Sequence, residues 1–229
     1  MRRLSLLAIL LACSAQAHDL WLEKDGKRLT LYQGHRHSSH AGAETVAYGN
    51  SFVMANRCVD ERGNARPLAV VGTSPWTASG DCAVLRLDIS SGYWSKTPWE
   101  TKNVPKSEAP GAIKSWLSKD SLKRLDRWSP TVAQPLGHGL EILPATDPFA
   151  LKPGDKLVVI VVKDGKPVTG TPVAYLGDPR GVTDPDGRIA IRLRHAGVQL
   201  IATSLELPLK DGKADTEILT ATLQFDLAP

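Results

Sequence analysis

Hydrophobic and polar residues alternate most regularly in the last third of the chain. In residues 188–193, Ile189, Ile191 and Leu193 alternate with Arg188 and Arg192, which is typical of a β-strand with one buried and one solvated face. Short β-branched runs of strand length also occupy residues 156–163, 171–176, 198–203 and 218–226. Glycine, proline and aspartate separate these runs at a spacing of about 8–12 residues, without a helix-length periodic segment. This third therefore predicts a small antiparallel β-sandwich.

The N-terminal part is also strand-like, but its pattern is less regular. Candidate strands occupy residues 19–23, 28–32, 44–48 and 83–89. In the last of these, Leu85, Leu87 and Ile89 alternate with Arg86 and Asp88, which predicts one apolar face. The fold class is therefore mainly β throughout.

One segment of the N-terminal part has a helical rather than a strand pattern. Between Pro110 and Pro130, residues 111–128 carry apolar side chains near helical spacing. We predict a helix there, with four basic residues facing solvent: Lys114, Lys119, Lys123 and Arg124.

A cluster of prolines and glycines at residues 130–140 predicts a domain boundary. The chain then divides into an N-terminal β-rich domain with one helix, residues 18–135, and a C-terminal β-sandwich, residues 136–229.

The first 17 residues have the pattern of a secretory signal peptide. Arg2 and Arg3 precede an apolar run at residues 4–11, and Ala15-Gln16-Ala17 is an A-x-A cleavage site. We therefore expect export to the periplasm, with His18 as the first residue of the mature protein. The alternative is a lipoprotein, because Leu10-Leu11-Ala12-Cys13 resembles a lipobox.

Charge and hydropathy exclude some partners of the exported chain. Loss of Arg2 and Arg3 lowers the formal charge from +4 to +2, which is too small and too evenly spread to favour nucleic acid. After residue 17, apolar runs are far shorter than the ~20 residues that span a bilayer, so we expect no integral membrane segment in the mature chain.

The cysteines predict a disulfide. Cys13 lies in the signal peptide, which leaves Cys58 and Cys82 in a compartment that permits oxidation. The alternative, a thiolate metal site, is less common in exported proteins.

The histidines are the strongest chemical feature of the sequence. Four of the six lie close together near the mature N-terminus: His18, His35, His37 and His40. Neutral imidazole suits nickel, cobalt, copper and zinc, and a free α-amine on His18 would add a nitrogen donor of the kind preferred by tetragonal copper(II) or nickel(II). We therefore predict a metal site in this group; the alternative is a solvated loop that binds metal only adventitiously.

Six tryptophans lie in the first 130 residues, at positions 21, 76, 94, 99, 116 and 128. We expect most of them to fill the core of an irregular domain. An exposed aromatic platform would instead indicate stacking on a carbohydrate or a base.

Catalytic motifs are lacking. The sequence contains no G-x-S-x-G, H-E-x-x-H, P-loop or dinucleotide-binding glycine pattern. We therefore do not expect an enzyme. The enzymatic alternative is a copper redox enzyme that uses an N-terminal histidine.

The order of several short motifs resembles a family of bacterial periplasmic proteins of unknown function, usually labelled the periplasmic component of a nickel or cobalt uptake transporter. The motifs are HDLWLE from His18, YQGH ending at His35, RWSP from Arg127, GHGLEILP from Gly137 and LKPGD from Leu151. The resemblance implies an Ig-like or transthyretin-like C-terminal sandwich and a role in transition-metal uptake beside a metal transporter or outer-membrane receptor. His18 and His35 fall on family-like positions, whereas His37 and His40 do not.

Residues and resemblance together predict a periplasmic protein that binds nickel or cobalt, with copper as the alternative metal. In this prediction His18 anchors the metal, His35 is the second ligand, and His37 and His40 are auxiliary donors. The remaining alternative is a structural or interaction module that docks on a transporter or receptor without metal.

Overall fold

A computed structural model describes residues 18–36 and 44–228. These residues form a mainly β structure with two single-turn 3-10 helices, Lys106–Glu108 and Pro148–Ala150. The strands in chain order are β1 (Asp19–Asp25), β2 (Arg28–His35), β3 (Glu44–Thr45), β4 (Val53–Val59), β5 (Ala69–Thr73), β6 (Trp76–Ser79), β7 (Val84–Lys96), β8 (Thr101–Lys102), β9 (Lys114–Leu125), β10 (Leu140–Pro144), β11 (Lys156–Lys163), β12 (Lys166–Pro167), β13 (Pro172–Tyr175), β14 (Asp178–Val182), β15 (Arg188–Arg192), β16 (Gly197–Pro208) and β17 (Thr216–Leu227).

The strands form three sheets. Sheet A has the order β1-β2-β6-β5, with β3 on β2, and sheet C has the order β10-β11-β12, with β15 on β11. Sheet B is the largest, with the order β14-β13-β16-β17-β9-β7-β4 and β8 on β7. Within sheet B, β17 and β9 pair in parallel, whereas the other strand pairs of the described chain are antiparallel. Sheet B therefore contains strands from both sides of the domain boundary predicted at residues 130–140.

Sheet B packs against both smaller sheets. Strand alternation directs Leu85, Leu87 and Leu122 toward sheet A, where they join an apolar cluster with Leu22 and Leu31. A second, larger cluster lies between sheet B and sheet C; its fully buried members include Leu223, Phe225, Val159, Val161 and Ile191. The two clusters make a layered sandwich, and the predicted alternation of residues 188–193 is confirmed by the burial of Ile191 and Leu193.

The helix predicted for residues 111–128 is wrong. This segment contains β9, which lies between β7 and β17 in the middle of sheet B. Lys123 and Arg124, predicted to face solvent, are buried. Both faces of this central strand are covered, and its buried cations have specific partners. The apolar residues of β9 therefore do not simply alternate with polar ones. The apolar residues of this segment fall near helical spacing, which is why the sequence pattern predicted a helix.

The predicted disulfide is confirmed. Cys58 at the end of β4 and Cys82 just before β7 are bonded, with their Cα atoms 5.3 Å apart. Both residues pack in the cluster between sheets A and B. Cys13 and the predicted signal peptide, residues 1–17, lie outside the described residues.

Within the described ranges, no helix has the length and apolar character needed to cross a bilayer.

Candidate metal centre at the end of sheet A

The β1–β2 hairpin brings His18 and His35 together. The two strands pair antiparallel from Asp25↔Arg28 to Asp19↔Gly34, so the next position outward sets His18 against His35. Their ring centroids are 4.8 Å apart, with the rings tilted by 54°. His18 is exposed and His35 is half-buried, so the pair is open to solvent on one side.

The sequence of the hairpin explains this register. Leu20, Leu22, Leu29 and Leu31 are buried on the same face of the two strands, toward sheet B. A slip of one strand by one residue would turn the two leucines of that strand to the opposite face and would separate the histidines. Gly26, with a φ of +57°, forms the tight turn that joins the strands.

The free edge of β1 is closed by a side chain from sheet B. The Leu22 backbone N–H donates to Gln224 Oε1 at 2.8 Å, and Gln224 Nε2 donates to the Leu22 carbonyl at 2.7 Å. Both backbone groups of a buried edge residue are thereby satisfied. This pair of bonds ties the histidine-bearing hairpin to the central sheet.

The outer face of the same hairpin is held by an aromatic and ionic group. Trp21 stacks on Tyr32 with centroids 5.7 Å apart, and the Arg36 guanidinium lies 5.5 Å from the Trp21 ring. Glu23 accepts from both Trp21 Nε1 and Arg36 Nη1 at 3.2 Å. The residue that follows His35 is therefore anchored on the face opposite the histidines.

Two histidines are a partial donor set. Each imidazole offers one nitrogen to a divalent transition metal, and zinc, nickel and copper sites use three or more donors. Residues 18–36 and 44–228 contain no group of three or more His, Cys, Asp or Glu side chains arranged to hold a metal. His37 and His40, the predicted auxiliary donors, lie outside the described residues.

The other two histidines do not join the pair. The His138 side chain is fully exposed, with Nδ1 3.9 Å from an Asp164 carboxylate oxygen. His195 is exposed, and its Nδ1 lies 2.7 Å from the carbonyl oxygen of Ala196.

Sequence reasoning missed a buried ionic cluster centred on Glu141 of the GHGLEILP motif. Glu141 accepts from Arg86 and, at 2.8 Å, from Lys123, and all three side chains are about 2% exposed. Burial lowers the pKa of Lys123, and the charge of Arg86 lowers it further, while Glu141 opposes both effects. The cluster is therefore two buried cations around one buried carboxylate, and the partly exposed Asp88 also pairs with Arg86 at 2.8 Å.

The same cluster fixes the segment that carries His138. Arg86 donates to the His138 carbonyl at 2.5 Å, Lys123 donates to the Gln134 carbonyl at 3.0 Å, and Glu141 accepts from the Leu136 N–H. A Cβ on Gly137 would lie 2.7 Å from Arg86 Nε, so only glycine fits there. The sequence signal was the presence of Arg86, Lys123 and Glu141 at strand positions whose neighbours are buried.

A comparison with protein families matches residues 15–207 to the family described as Domain of unknown function (DUF4198). No curated protein matches the chain. Because the match covers most of the chain, the protein belongs to the DUF4198 family.

Proposed function

We propose that this protein binds a divalent transition metal, nickel or cobalt first and copper as the alternative, and serves its uptake or handling in the periplasm. One observation carries the proposal: the His18 and His35 rings lie 4.8 Å apart on a hairpin whose register is set by buried leucines. A metal transporter or outer-membrane receptor is the proposed partner.

The donor chemistry supports a nitrogen-preferring metal. Imidazole nitrogens suit nickel, cobalt and copper, whereas calcium and magnesium prefer oxygen ligands. If the exported protein begins at His18, the α-amine and ring of that residue together with the ring of His35 make a three-nitrogen set. The metal is cargo in this proposal and gains access from the exposed side of His18.

Calorimetric titration with nickel, cobalt and copper chlorides tests the proposal. The protein beginning at His18 is compared with the double variant His18→Ala, His35→Ala and with a matched control, His138→Ala, His195→Ala, which removes two exposed histidines elsewhere. Loss of two ligands should weaken binding by more than the ~10–100-fold that loss of an outer-shell partner costs. The control should bind as the wild type does. Equal affinity of the wild type and the His18, His35 variant would overturn the proposal.

The contribution of the α-amine is tested separately. A protein with one extra alanine before His18 keeps both rings but moves the amine away. Its affinity for copper and nickel should fall if the amine is a ligand, and N-terminal sequencing of the exported protein decides whether His18 carries that amine. Absence of metal binding by every form would favour the interaction module instead.

A further inference from the structure

One tryptophan departs from the core-filling role expected for this residue type. The Trp99 side chain is 90% exposed, whereas Trp21 and Trp76 are almost fully buried. Trp99 lies in the four-residue turn, residues 97–100, that joins β7 to β8. Exposure of so large an apolar ring costs solvation free energy, and tryptophan is enriched at binding surfaces.

The turn holds Trp99 in this exposed position. The Thr97 N–H donates to the Glu100 carbonyl at 2.9 Å. Thr97 Oγ1 accepts from the N–H groups of Trp99 at 3.3 Å and of Glu100 at 3.2 Å. The indole is therefore presented by a hydrogen-bonded turn.

Trp99 forms one wall of an open cavity of about 280 Å³. The segment after the 3-10 helix Lys106–Glu108 also lines the cavity, through Ala109, Pro110 and Gly111. This segment has its own backbone bonds, from the Ala109 N–H to the Lys106 carbonyl and from the Ala112 N–H to the Ala109 carbonyl. The volume lies just below the ~300–1,000 Å³ of pockets for drug-sized ligands, so the cavity suits a single ring.

The charged residues of the cavity exclude some ligand classes. Glu100 and Lys102 form an ion pair at 2.7 Å, while Glu108 has no ion-pair partner within the described chain. Two carboxylates and one ammonium disfavour phosphate-bearing or other anionic ligands. They leave carboxylate acceptors and an ammonium donor for hydroxyl groups.

We propose that the Trp99 cavity binds one pyranose ring of a neutral saccharide. One face of a pyranose carries C–H bonds of partial positive charge, which the negative face of the indole attracts. The ring hydroxyls donate to Glu108 and Glu100 and accept from Lys102. This site is separate from the His18 and His35 pair, so the proposal of saccharide binding does not depend on metal binding.

Tryptophan fluorescence and saturation-transfer NMR test the site with maltotriose, cellotriose and chitotriose. At least one of the three should give a saturable response when titrated to ~10 mM, which exceeds the millimolar Kd of weak specific complexes. Trp99→Ala should abolish the saturation-transfer response, which does not depend on Trp99 fluorescence. Ile113→Ala, which removes an exposed apolar side chain outside the cavity lining, should leave it unchanged, as should His18→Ala, His35→Ala.

The role of the carboxylate is tested by Glu108→Gln, which should weaken binding about fivefold, the difference between a hydrogen bond to a charged acceptor and one to a neutral acceptor. Glucuronic acid should bind more weakly than glucose. Three results would overturn the proposal. They are no response to any of the three trisaccharides, binding by Trp99→Ala equal to that of the wild type, or a response only to tetramethylammonium, which is a cation and not a sugar.

Discussion

Two carboxyl groups on opposite sides of the central sheet differ in what surrounds them. Glu141, between sheets B and C, is contacted by the cations Arg86 and Lys123. Asp120 on β9 shares the face of Leu122 and pairs with Ile89 and Thr220, so it points toward sheet A. Its partners are hydroxyls, with Ser118 Oγ at 3.1 Å and Thr220, and no ion pair to Asp120 exists within the described chain.

The different surroundings of Glu141 and Asp120 change the free energy of burying each negative charge. Asp120 is half-buried by its surface exposure, but enough protein surrounds it that desolvation raises its pKa to about 6, against the lowering effect of the two hydroxyls. Glu141 has two cations and a backbone N–H to compensate its burial. The desolvation of a buried carboxylate is therefore compensated where cations surround it, whereas the charge of Asp120, which has only hydroxyl partners, destabilises the fold.

Removal of the Glu141 charge should have the largest effect. Glu141→Gln leaves Lys123 buried without a counter-charge and leaves Arg86 with Asp88 as its remaining partner. Loss of one partner of a buried pair costs about 3–5 kcal/mol of the free energy of unfolding. Urea denaturation measures it. The matched control is Glu206→Gln, whose carboxylate pairs with Lys114 at 3.0 Å on the surface and should cost at most about 1 kcal/mol. Equal losses in the two variants would contradict the comparison.

On the Asp120 side, a covalent bond rather than an ionic cluster reinforces the packing. Replacing Cys58 and Cys82 together by alanine opens a loop with a sequence separation of 24 residues and should lower the free energy of unfolding by about 3 kcal/mol. Thermal or urea unfolding with and without dithiothreitol measures the change. Reductant should destabilise the wild type and leave the double variant unaffected; a wild type insensitive to reductant would disprove this.

Asp120→Asn should stabilise the protein at neutral pH. The folded pKa of Asp120 is raised from 3.8 to about 6, so the unfolded chain loses its proton first and wild-type stability falls as pH rises from about 4 to 6. Each unit of pKa corresponds to ~1.4 kcal/mol, and partial exposure reduces the effect, so we expect a gain of about 1–3 kcal/mol.

The pH dependence of stability distinguishes removal of the Asp120 charge from a change in packing. The stability gap between Asp120→Asn and the wild type should be small near pH 3.5, widen up to about pH 6 and stay constant above it. A gap that does not vary with pH would exclude titration of Asp120 as its cause.

The strands of the C-terminal third and the disulfide were predictable because their signals are local. Ile189, Ile191 and Leu193 alternate with polar residues on an outer strand, and the two cysteines that follow the predicted signal peptide have one possible pairing. Lys123 and Arg124 misled the prediction for residues 111–128 because basic residues are expected to face solvent. Two of the partners that permit their burial, Glu141 and Asp226, lie 18 and 102 residues away, although Arg124 also pairs with the nearby Asp126.

The sequence by itself determined the mainly β class, the Cys58–Cys82 bond and the choice of His18 and His35 as a candidate pair. Each follows from residue type, alternation or order along the chain. Tertiary structure alone decided that β9 is a strand at the centre of sheet B, that Glu141 shares two buried cations and that Trp99 is exposed beside a cavity. Those outcomes depend on which residues of other strands neutralise or cover a side chain. Packing between sheets determines these partners, and the local sequence pattern does not.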